Sequence, residues 1–497
     1  MFGSLKRILA GGLSLAVVAS VLAFPASPAA AQQRNRTNVP GGWGSAILIQ
    51  NVGTSTLAPD QYSIEFYDAS GALAKSFTPP ATASIAPGAS REFYIPTTIT
   101  DLASGQYSGV VSSSVPVKAV VNSSTDRATA APWSAFAYEG VDAAATATRL
   151  FIPGFYKDYF GFRSELVIQN TGTSAATVQA TFYRSSDGQR FGPYSLGSIQ
   201  PNAAQTFSSS DTAFNALPGG TSTSLFGVVV ESTNGVPLAG VSNIWTASDA
   251  DAGAGSFNAF TSGSPTVYAA AVYNQYFGFV ASITVQNLAD TAAAGTIRFS
   301  DNTTVNFNIP ANQAREYFLP NISGLASGNT NGLLSATISG PANGQLVALV
   351  NIQRKQRGST SVADPENPAF GSYSATATRS TRVRVPAIFS DYFGYFTSVT
   401  VQNAGNAAAP VTLRYGDNRI WTSPTLQPGQ TYNFTHLPNV AGNQLSFRTQ
   451  IGGTVESTQP VVVVVQHNSG RELTSFNPRF LPNDFLFALS GFPETQP

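Results

Sequence analysis

The chain has 497 residues, and its 26 Lys and Arg balance 26 Asp and Glu, so the formal net charge is zero. Charged residues are only 10% of the sequence, and cysteine is absent. This composition argues against nucleic-acid binding, which needs a basic face, and it removes disulfides, thiolate metal sites and thiol nucleophiles. With 42% hydrophobic residues, 33 Phe and 18 Tyr, the chain can be stabilised by apolar burial alone.

The first residues have the pattern of a secretory signal peptide. Lys6 and Arg7 precede an apolar run at residues 8–24, and Ala29 to Ala31 supply the small residues of a cleavage site. We expect residues 1–31 to be removed after export. The mature protein would then be secreted, or held at the cell surface of a bacterium.

An uncleaved membrane anchor is the alternative interpretation of this segment. Pro25 and Pro28 argue against it, because they would break a helix just before the small residues. No later segment approaches the ~18 consecutive apolar residues of a membrane helix. We therefore expect no transmembrane segment once the leader has been cleaved.

After the leader, an apolar run that closes on Gln-Asn recurs along the chain. The Asn residues of these runs are 119, 117 and 116 residues apart, at Asn51, Asn170, Asn287 and Asn403. Such a constant period indicates tandem copies of one unit of about 117 residues. We predict four repeats, with a C-terminal tail on the last, at residues 38–140, 141–263, 264–375 and 376–497.

Each copy is predicted to be built of strands. Ile283, Val285 and Asn287 alternate with Thr284 and Gln286, the period-two pattern of a half-buried strand. Because no mature segment has sustained helical periodicity, we expect an all-β fold of immunoglobulin-like β-sandwiches with seven or eight strands each. A single propeller is excluded by its shorter repeats of ~40–50 residues. A tandem array of such sandwiches would form an elongated rod.

The turn motifs resemble a known type of module. An apolar strand ends in Asn-x-Gly-Thr at residues 49–54 and 168–173, and an Ile-x-Pro-Gly turn leads to an aromatic strand at residues 85–93. These motifs are similar to the immunoglobulin-like modules of exported bacterial proteins, including the cell-adhesion-related (CARDB-like) type. The third copy departs from the pattern, since Ala289 stands where the Gly is expected. The resemblance implies display, spacing or adhesion outside the cell, and it transfers no active-site residue.

An aromatic column precedes the Gln-Asn strands and is the main candidate for a binding site. It takes the form Tyr-Phe-Gly in three copies and Gly-Trp-Gly in the first. Its rings could stack on sugars, with avidity from several copies. They could instead fill the seam between consecutive sandwiches, where Gly would permit a close backbone approach; we favour the seam. The column comprises Trp43, Tyr159, Phe160, Tyr276, Phe277, Tyr392 and Phe393.

The sequence offers little for catalysis or metal binding. The only two histidines, His436 and His467, both lie in the last copy and form no metal-binding or nucleophile motif. Acids at residues 249–251 and 364–366 match no calcium motif, so we interpret them as solvated loop residues. The repeated Gln-Asn is predicted to be structural, with the amide bonded to turn backbone. We expect no enzyme activity, no cofactor and no metal.

The favoured function is a secreted or cell-surface structural or adhesion protein without enzyme activity. Its expected partners are other copies of itself or components of the cell envelope, and nucleic acid is not among them. The alternative is a multivalent carbohydrate-binding protein that contacts glycans through the aromatic column. A secreted hydrolase is the least supported of the three interpretations.

Overall fold

The structure is a computed structural model that describes residues 17–22, 43–125, 135–220, 222–246, 253–354, 369–392, 395–437, 440–446, 448–469 and 486–493. The fold is all-β, as predicted, and the strands are joined in antiparallel sheets. In these residues, the helical pieces are single turns, and no helix could cross a lipid bilayer. The turns are α1 (Ile95–Thr98), α2 (Gly328–Asn331) and 3-10 turns at Pro59–Gln61, Ala143–Ala145, Thr212–Phe214 and Leu319–Asn321.

We name the strands by groups I to IV, each built around one of the Gln-Asn strands. In group I, one sheet has the order β4-β3-β6-β1-β9 and the other the order β5-β2-β7-β8. The first strand, β1, belongs to the segment that the sequence analysis predicts to be a leader. The strands are β1 (Val17–Leu22), β2 (Trp43–Asn51), β3 (Tyr62–Tyr67), β4 (Leu73–Phe77), β5 (Ser90–Tyr94), β6 (Gln106–Ser113), β7 (Val117–Thr125), β8 (Ala135–Glu139) and β9 (Val141–Asp142).

In group II the strand order is β13-β12-β15-β10-β11-β16-β17, and β14 pairs with β11. Strand β10 pairs with β15 on one side and joins β11 through a hairpin, so it passes from one layer to the other. The strands are β10 (Arg149–Tyr159), β11 (Phe162–Asn170), β12 (Ala176–Arg184), β13 (Arg190–Ile199), β14 (Ala204–Ser208), β15 (Leu225–Ser232), β16 (Leu238–Thr246) and β17 (Ala254–Asn258).

Group III has the same pairing, with the order β21-β20-β23-β18-β19-β24-β25 and β22 on β19. Its core lies between the two layers, where Ile283, Ile297 and Val350 are fully buried. The strands are β18 (Thr266–Tyr276), β19 (Phe279–Asn287), β20 (Ala293–Phe299), β21 (Thr304–Ile309), β22 (Ala314–Phe318), β23 (Leu333–Ser339), β24 (Leu346–Arg354) and β25 (Ala369–Ser374).

In group IV a single long strand, β31, takes part in both layers. It pairs with β26 and β28 through its first half and with β27 and β32 through its second. The strands are β26 (Ser380–Ser390), β27 (Tyr395–Asn403), β28 (Val411–Tyr415), β29 (Ile420–Thr422), β30 (Thr431–Thr435), β31 (Thr449–Ser469), β32 (Leu486–Ser490) and β33 (Phe492–Pro493).

The Asn of each Gln-Asn pair fixes the turn after its strand. Asn51 Nδ2 donates to the carbonyls of Ser55 and Ile85, at 2.8 Å each, and its Oδ1 accepts from the Gly53 N–H at 2.9 Å. An amide in this position satisfies buried backbone groups, so the structural interpretation of the motif is confirmed. The same bonds recur at Asn170, Asn287 and Asn403.

Neighbouring groups meet where a small residue of one lies against a turn of the next. The Ser108 hydroxyl of group I donates to the Asn202 carbonyl of group II, and the Ser335 hydroxyl of group III donates to the Gly429 carbonyl of group IV. Between groups II and III the position is Gly227, where a Cβ would lie 2.9 Å from the Ala314 Cβ. Small residues here let the backbones approach closely.

Group IV also packs against group I, so the chain closes on itself. Gly452 lies against Gly88, and Gln50 Nε2 donates to the Val385 carbonyl at 3.3 Å. The elongated rod expected from the tandem repeats is therefore wrong for the described residues. The contacts at this last junction use the same positions as the other three, and such contacts close a ring instead of extending a filament.

At the centre of the ring, β8, β17, β25 and β32 contact one another. Asn258 Nδ2 donates to the Glu139 carbonyl at 2.8 Å, and the Ser490 N–H donates to Glu139 Oε1 at 2.9 Å. The Ser490 hydroxyl in turn donates to the Ser374 carbonyl at 2.8 Å. These strands surround a central cavity of about 230 Å³.

Candidate functional site

In groups II and III the Tyr-Phe-Gly triplets form the hairpin turns between the first two strands of the group. In group II the turn joins β10 to β11, with a register shift between Lys157 and Tyr159. Asp158 and Phe160 have φ values of 58° and 48°, and Gly161 follows at 84°. The corresponding turn of group III has φ values of 59° at Gln275 and 46° at Phe277. A bulky residue is rarely found in the left-handed region, and where it occurs it often marks a functional position.

The tyrosines of the column stack on an aromatic ring of their own group, and Tyr159 also bonds to the following group. Tyr159 packs on Tyr156, with 5.7 Å between ring centroids, and its hydroxyl donates to Glu316 Oε2 of group III at 2.7 Å. The other two tyrosines are placed alike, since Tyr276 stacks on Tyr273 at 5.6 Å and Tyr392 on Phe389 at 5.5 Å. Tyr159 therefore bonds across the junction, whereas Tyr276 and Tyr392 stack on aromatic rings of their own groups.

The phenylalanines of the same turns point into solvent. Phe160 is 65% exposed and Phe277 is 58% exposed, and each ring meets the preceding tyrosine edge-on at 4.8 Å. Phe393 lies outside the described residues. Trp43 is half-buried and packs on Phe136 of its own group at 5.1 Å, so it does not occupy the equivalent position. The column therefore divides into stacked tyrosines and exposed phenylalanines.

A cleft of about 450 Å³ opens at the junction of groups II and III, beside the Tyr159 turn. Its walls combine aromatic rings with a carboxylate and side-chain amides, a set of groups that suits a polar ligand with flat apolar faces. The lining residues include Tyr156, Tyr159, Phe160, Phe162, Phe370, Glu316, Asn351 and Gln353.

Glu316 is the ionisable group of this cleft. Burial raises the pKa of its carboxyl above the usual range, while hydrogen bonds from Tyr159 and Ser282 act in the opposite direction. The neighbouring amide is held in place, because Asn351 Nδ2 donates to the Tyr156 hydroxyl at 2.6 Å and its Oδ1 accepts from Ser372 at 2.7 Å. The cleft therefore presents a preorganised acid and amide beside aromatic rings.

The sequence prediction did not single out Glu316, although a signal was present. The run Arg-Glu-aromatic-aromatic occurs twice, with Glu316 in β22 and Glu92 in β5. Both lie at junctions, since Gln450 Nε2 of group IV donates to Glu92 Oε2 at 3.3 Å. A charged residue repeated within an aromatic strand is unusual enough to be a candidate site residue.

The two histidines form hydrogen bonds within the core of group IV. His436 donates from Nδ1 to the Thr397 carbonyl at 2.8 Å and lies 3.0 Å from the Tyr415 hydroxyl. His467 Nδ1 lies 2.7 Å from the Thr397 hydroxyl. Burial lowers the pKa of His436 to about 4 and, with a contribution from the charge of His436, that of His467 to about 3. Both rings are neutral at pH 7 and serve as hydrogen-bonding groups of the core.

Glu139 is a second acid with a raised pKa; it is half-buried and lines the central cavity. Burial raises the pKa of its carboxyl to about 7, although the charge of Lys118 and the N–H of Ser490 favour the ionised form. Its segment, β8, is otherwise apolar. No local pattern in the sequence places this acid on the axis, because the contact between β8 and β32 depends on ring closure.

Among the described residues, no group of three or more His, Asp or Glu is placed to hold a metal ion. The loop acids at residues 249–251 and 364–366 lie outside that part of the chain. No protein-family model matches this sequence, and a search of curated proteins finds no significant relative. Function is therefore inferred from the geometry alone.

Proposed function

We propose that the protein is exported with loss of residues 1–31 and acts at a bacterial surface as a structural or adhesion protein without enzyme activity. In this proposal the four strand groups are four copies of one immunoglobulin-like sandwich, closed into a ring. The shared strand order of groups II and III and the repeated Asn bonds support the common origin. A compact ring with apolar tips suits attachment to a partner surface.

The observation that carries the adhesion proposal is the exposure of Phe160 and Phe277. Each ring is held at a turn by a left-handed backbone and by an edge-on contact with the preceding tyrosine. Rigid exposed aromatic side chains lose little entropy on binding, and aromatic residues are enriched among the hot spots of interfaces. Two such rings at matching turns of groups II and III provide two anchors for a partner.

The other exposed apolar side chains provide a comparison. Leu73 is 52% exposed and Ile420 is 44% exposed, and both lie on edge strands at positions unrelated to the turns. Single exposed aliphatic residues are normal on protein surfaces. Leu73 and Ile420 therefore serve as matched controls for the two phenylalanines.

Carbohydrate binding is a second candidate, supported by the cleft between groups II and III. Tyr159 and Phe162 present rings there, while Glu316, Asn351 and Gln353 supply hydrogen-bonding groups. Sugars are recognised by such a combination, since rings stack on their apolar faces and carboxylates or amides bond their hydroxyls. Phe160 lines the same cleft, so one turn could serve both functions.

The test measures how tightly the fluorescently labelled protein and its variants bind to cells of the producing bacterium from which the gene for this protein has been deleted. Wild type is expected to bind saturably, and the double variant Phe160→Ser with Phe277→Ser to bind at least about tenfold more weakly. The control is Leu73→Ser with Ile420→Ser, which also removes two exposed apolar side chains but leaves the turns intact. Equal loss in both double variants, or no rebinding of wild type, would contradict the proposal.

The same proteins distinguish the two candidates when they are titrated with purified cell-wall polysaccharide. Binding that survives the phenylalanine variants but disappears with Glu316→Gln would indicate the cleft and a saccharide ligand. Binding that is lost with the phenylalanines and is unaffected by Glu316→Gln would favour adhesion through the exposed rings. Thermal unfolding of each variant checks that the fold is unchanged.

A further inference from the structure

Strand β1 occupies a structural position in group I although it belongs to the predicted leader. Its backbone runs antiparallel to β6, from Val17 opposite Val111 to Leu22 opposite Gln106. It also pairs with β9 at its first two residues. The first sheet of group I therefore includes residues that export would remove.

In the other groups the equivalent position belongs to the mature chain. Strand β10 pairs with β15, β18 with β23 and β26 with β31, each in the antiparallel sense that β1 shows toward β6. These strands are part of the core: in group II, Leu150 and Phe155 are fully buried and Ile152 is 1% exposed. A group without its first strand would lose one side of its hydrophobic core.

The mature N-terminal segment cannot replace β1. With Asn51 aligned on Asn170, an offset of 119 residues, the buried Leu150 corresponds to Ala31, the last residue of the predicted leader, and Ile152 and Phe155 correspond to Gln33 and Arg36 of the mature chain. Two of these three positions would place a polar or charged side chain in an apolar core, which is strongly unfavourable. Residues 32–42 are also rich in Arg, Asn, Gln and Gly, which are poor strand formers as a group.

Cleavage would leave β6 with a free edge above an apolar core. On its other side β6 pairs with β3, whose Ile64 and Phe66 are fully buried, and Val111 of β6 is fully buried as well. An unpaired strand edge next to an open core accepts an extended segment, whose main chain completes the ladder and whose alternate side chains fill the core.

We propose that the exported protein completes group I with a β-strand supplied by another polypeptide. The partner is an extended segment with apolar residues at alternate positions, which pairs antiparallel to β6 from Gln106 to Val111, as the leader strand does. Its chemistry is that of the leader strand Val-Val-Ala-Ser-Val-Leu, which fits this position in register. The inference rests on the proposed export, because an uncleaved leader would fill the position in cis.

Strand β6, whose edge would accept the added strand, is already held in place by group II. Gln106 Nε2 donates to the Thr206 hydroxyl and Ser108 to the Asn202 carbonyl, both in group II. These bonds fix β6 independently of β1, so less order has to be gained when a strand binds. The site lies at a junction, and an added strand would attach its parent polypeptide to the ring.

The experiment starts from the full chain expressed in a bacterium, with fractionation to locate it and intact mass to define its N-terminus. The exported form is titrated with a labelled peptide of residues 14–25 that carries solubilising lysines at both ends. Saturable binding is expected, with slowed amide hydrogen exchange confined to Gln106–Ser113 and the adjoining core strands. The same peptide with Ala19→Pro and Ser20→Pro, which removes backbone donors, is expected to bind at least about tenfold more weakly.

The cytoplasmic precursor that retains residues 1–31 is the matched protein control, since its site is filled in cis. It is expected to bind the peptide at least about tenfold more weakly than the exported form. Equal binding by both forms, no binding by the exported form, or exported protein that retains residues 17–22 would each overturn the proposal. Cell fractionation measures export independently of peptide binding. A failure of the proposed localisation is therefore distinguishable from a failure of the strand site.

Discussion

The junction between groups II and III and the junction between groups III and IV use the same positions with different chemistry. At the first, Tyr159 donates to Glu316 of β22. At the second, the turn tyrosine is Tyr276. Ala314 of β22 and Thr431 of β30 each lie opposite the glutamine of a Gln-Asn strand. Counting two residues on from each, Asn433 of β30 occupies the position that Glu316 has in β22. One junction therefore contains a carboxylate where the other has an amide.

The remaining contacts of the two junctions differ less. Tyr156 accepts a bond from Asn351 at the first, and Tyr273 donates to Gln466 at the second. A seam can therefore be closed with neutral groups alone. A buried carboxylate adds a desolvation cost that an amide does not. The acid of the first junction is thus an addition to a scaffold that does not need it, as expected for a binding residue.

The largest expected effect comes from filling the close contact at Gly227. A Cβ there would lie 2.9 Å from the Ala314 Cβ, so Gly227→Leu forces groups II and III apart. We expect a loss of about 3 kcal/mol in the free energy of unfolding. Denaturant unfolding measures the loss, and small-angle scattering measures whether the ring opens.

The control for this variant is Ser335→Ala at the second junction. It removes the hydroxyl that donates to the Gly429 carbonyl but adds no volume, so it is expected to cost about 1 kcal/mol and leave the ring closed. If Gly227→Leu were as stable as wild type, the contact between the two groups would not exist in solution.

An exchange of the acid and the amide gives the next largest effect. Asn433→Glu places a carboxylate at a half-buried position of the second junction and is expected to cost about 2 kcal/mol at pH 7. Glu316→Gln replaces the carboxylate of the first junction by an amide, so it removes a desolvation cost there. Because the pKa of Glu316 is raised in the folded state, wild type loses stability as the pH rises from the unfolded pKa through the folded one.

Unfolding free energies measured between pH 4 and pH 8 test this exchange. The stability of Glu316→Gln relative to wild type is expected to increase with pH over that interval and then level off, whereas Asn433→Glu is expected to show the opposite trend. Parallel pH profiles for wild type and Glu316→Gln would show that the carboxylate is solvated and that the two junctions do not differ in this way.

The alternation in β19 shows how far the sequence could predict the fold. Ile283, Val285 and Asn287 are buried as the period-two pattern predicts, but Thr284 and Gln286 are also fully buried. Their face packs on group II, where Gly227 lies beside Gln286. A polar residue in a strand normally predicts solvent, and no local pattern reveals that a second sandwich covers it.

The sequence predicts the aromatic column, but it does not predict that the tyrosines and phenylalanines of the column lie in different environments. Tyr159 and Phe160 are adjacent and similar in hydrophobicity, yet the left-handed backbone at Phe160 directs one ring to the seam and the other to solvent. Ring closure was likewise beyond the sequence, since Gln50 and Val385 are separated by most of the chain. Both features depend on tertiary geometry, which composition and periodicity do not encode.

The smallest effect distinguishes the two turn tyrosines. Tyr159→Phe removes the bond to Glu316, so it is expected to raise the pKa of that carboxyl further and to cost about 1 kcal/mol of stability. Tyr276→Phe is the matched control, because its hydroxyl has no hydrogen bond to the described residues, and we expect a change within about 0.5 kcal/mol. Carboxyl titration by NMR and denaturant unfolding measure both effects. Equal costs for the two variants would mean that the hydroxyl of Tyr159 contributes only packing, and that the carboxylate of the first junction is not held by this bond.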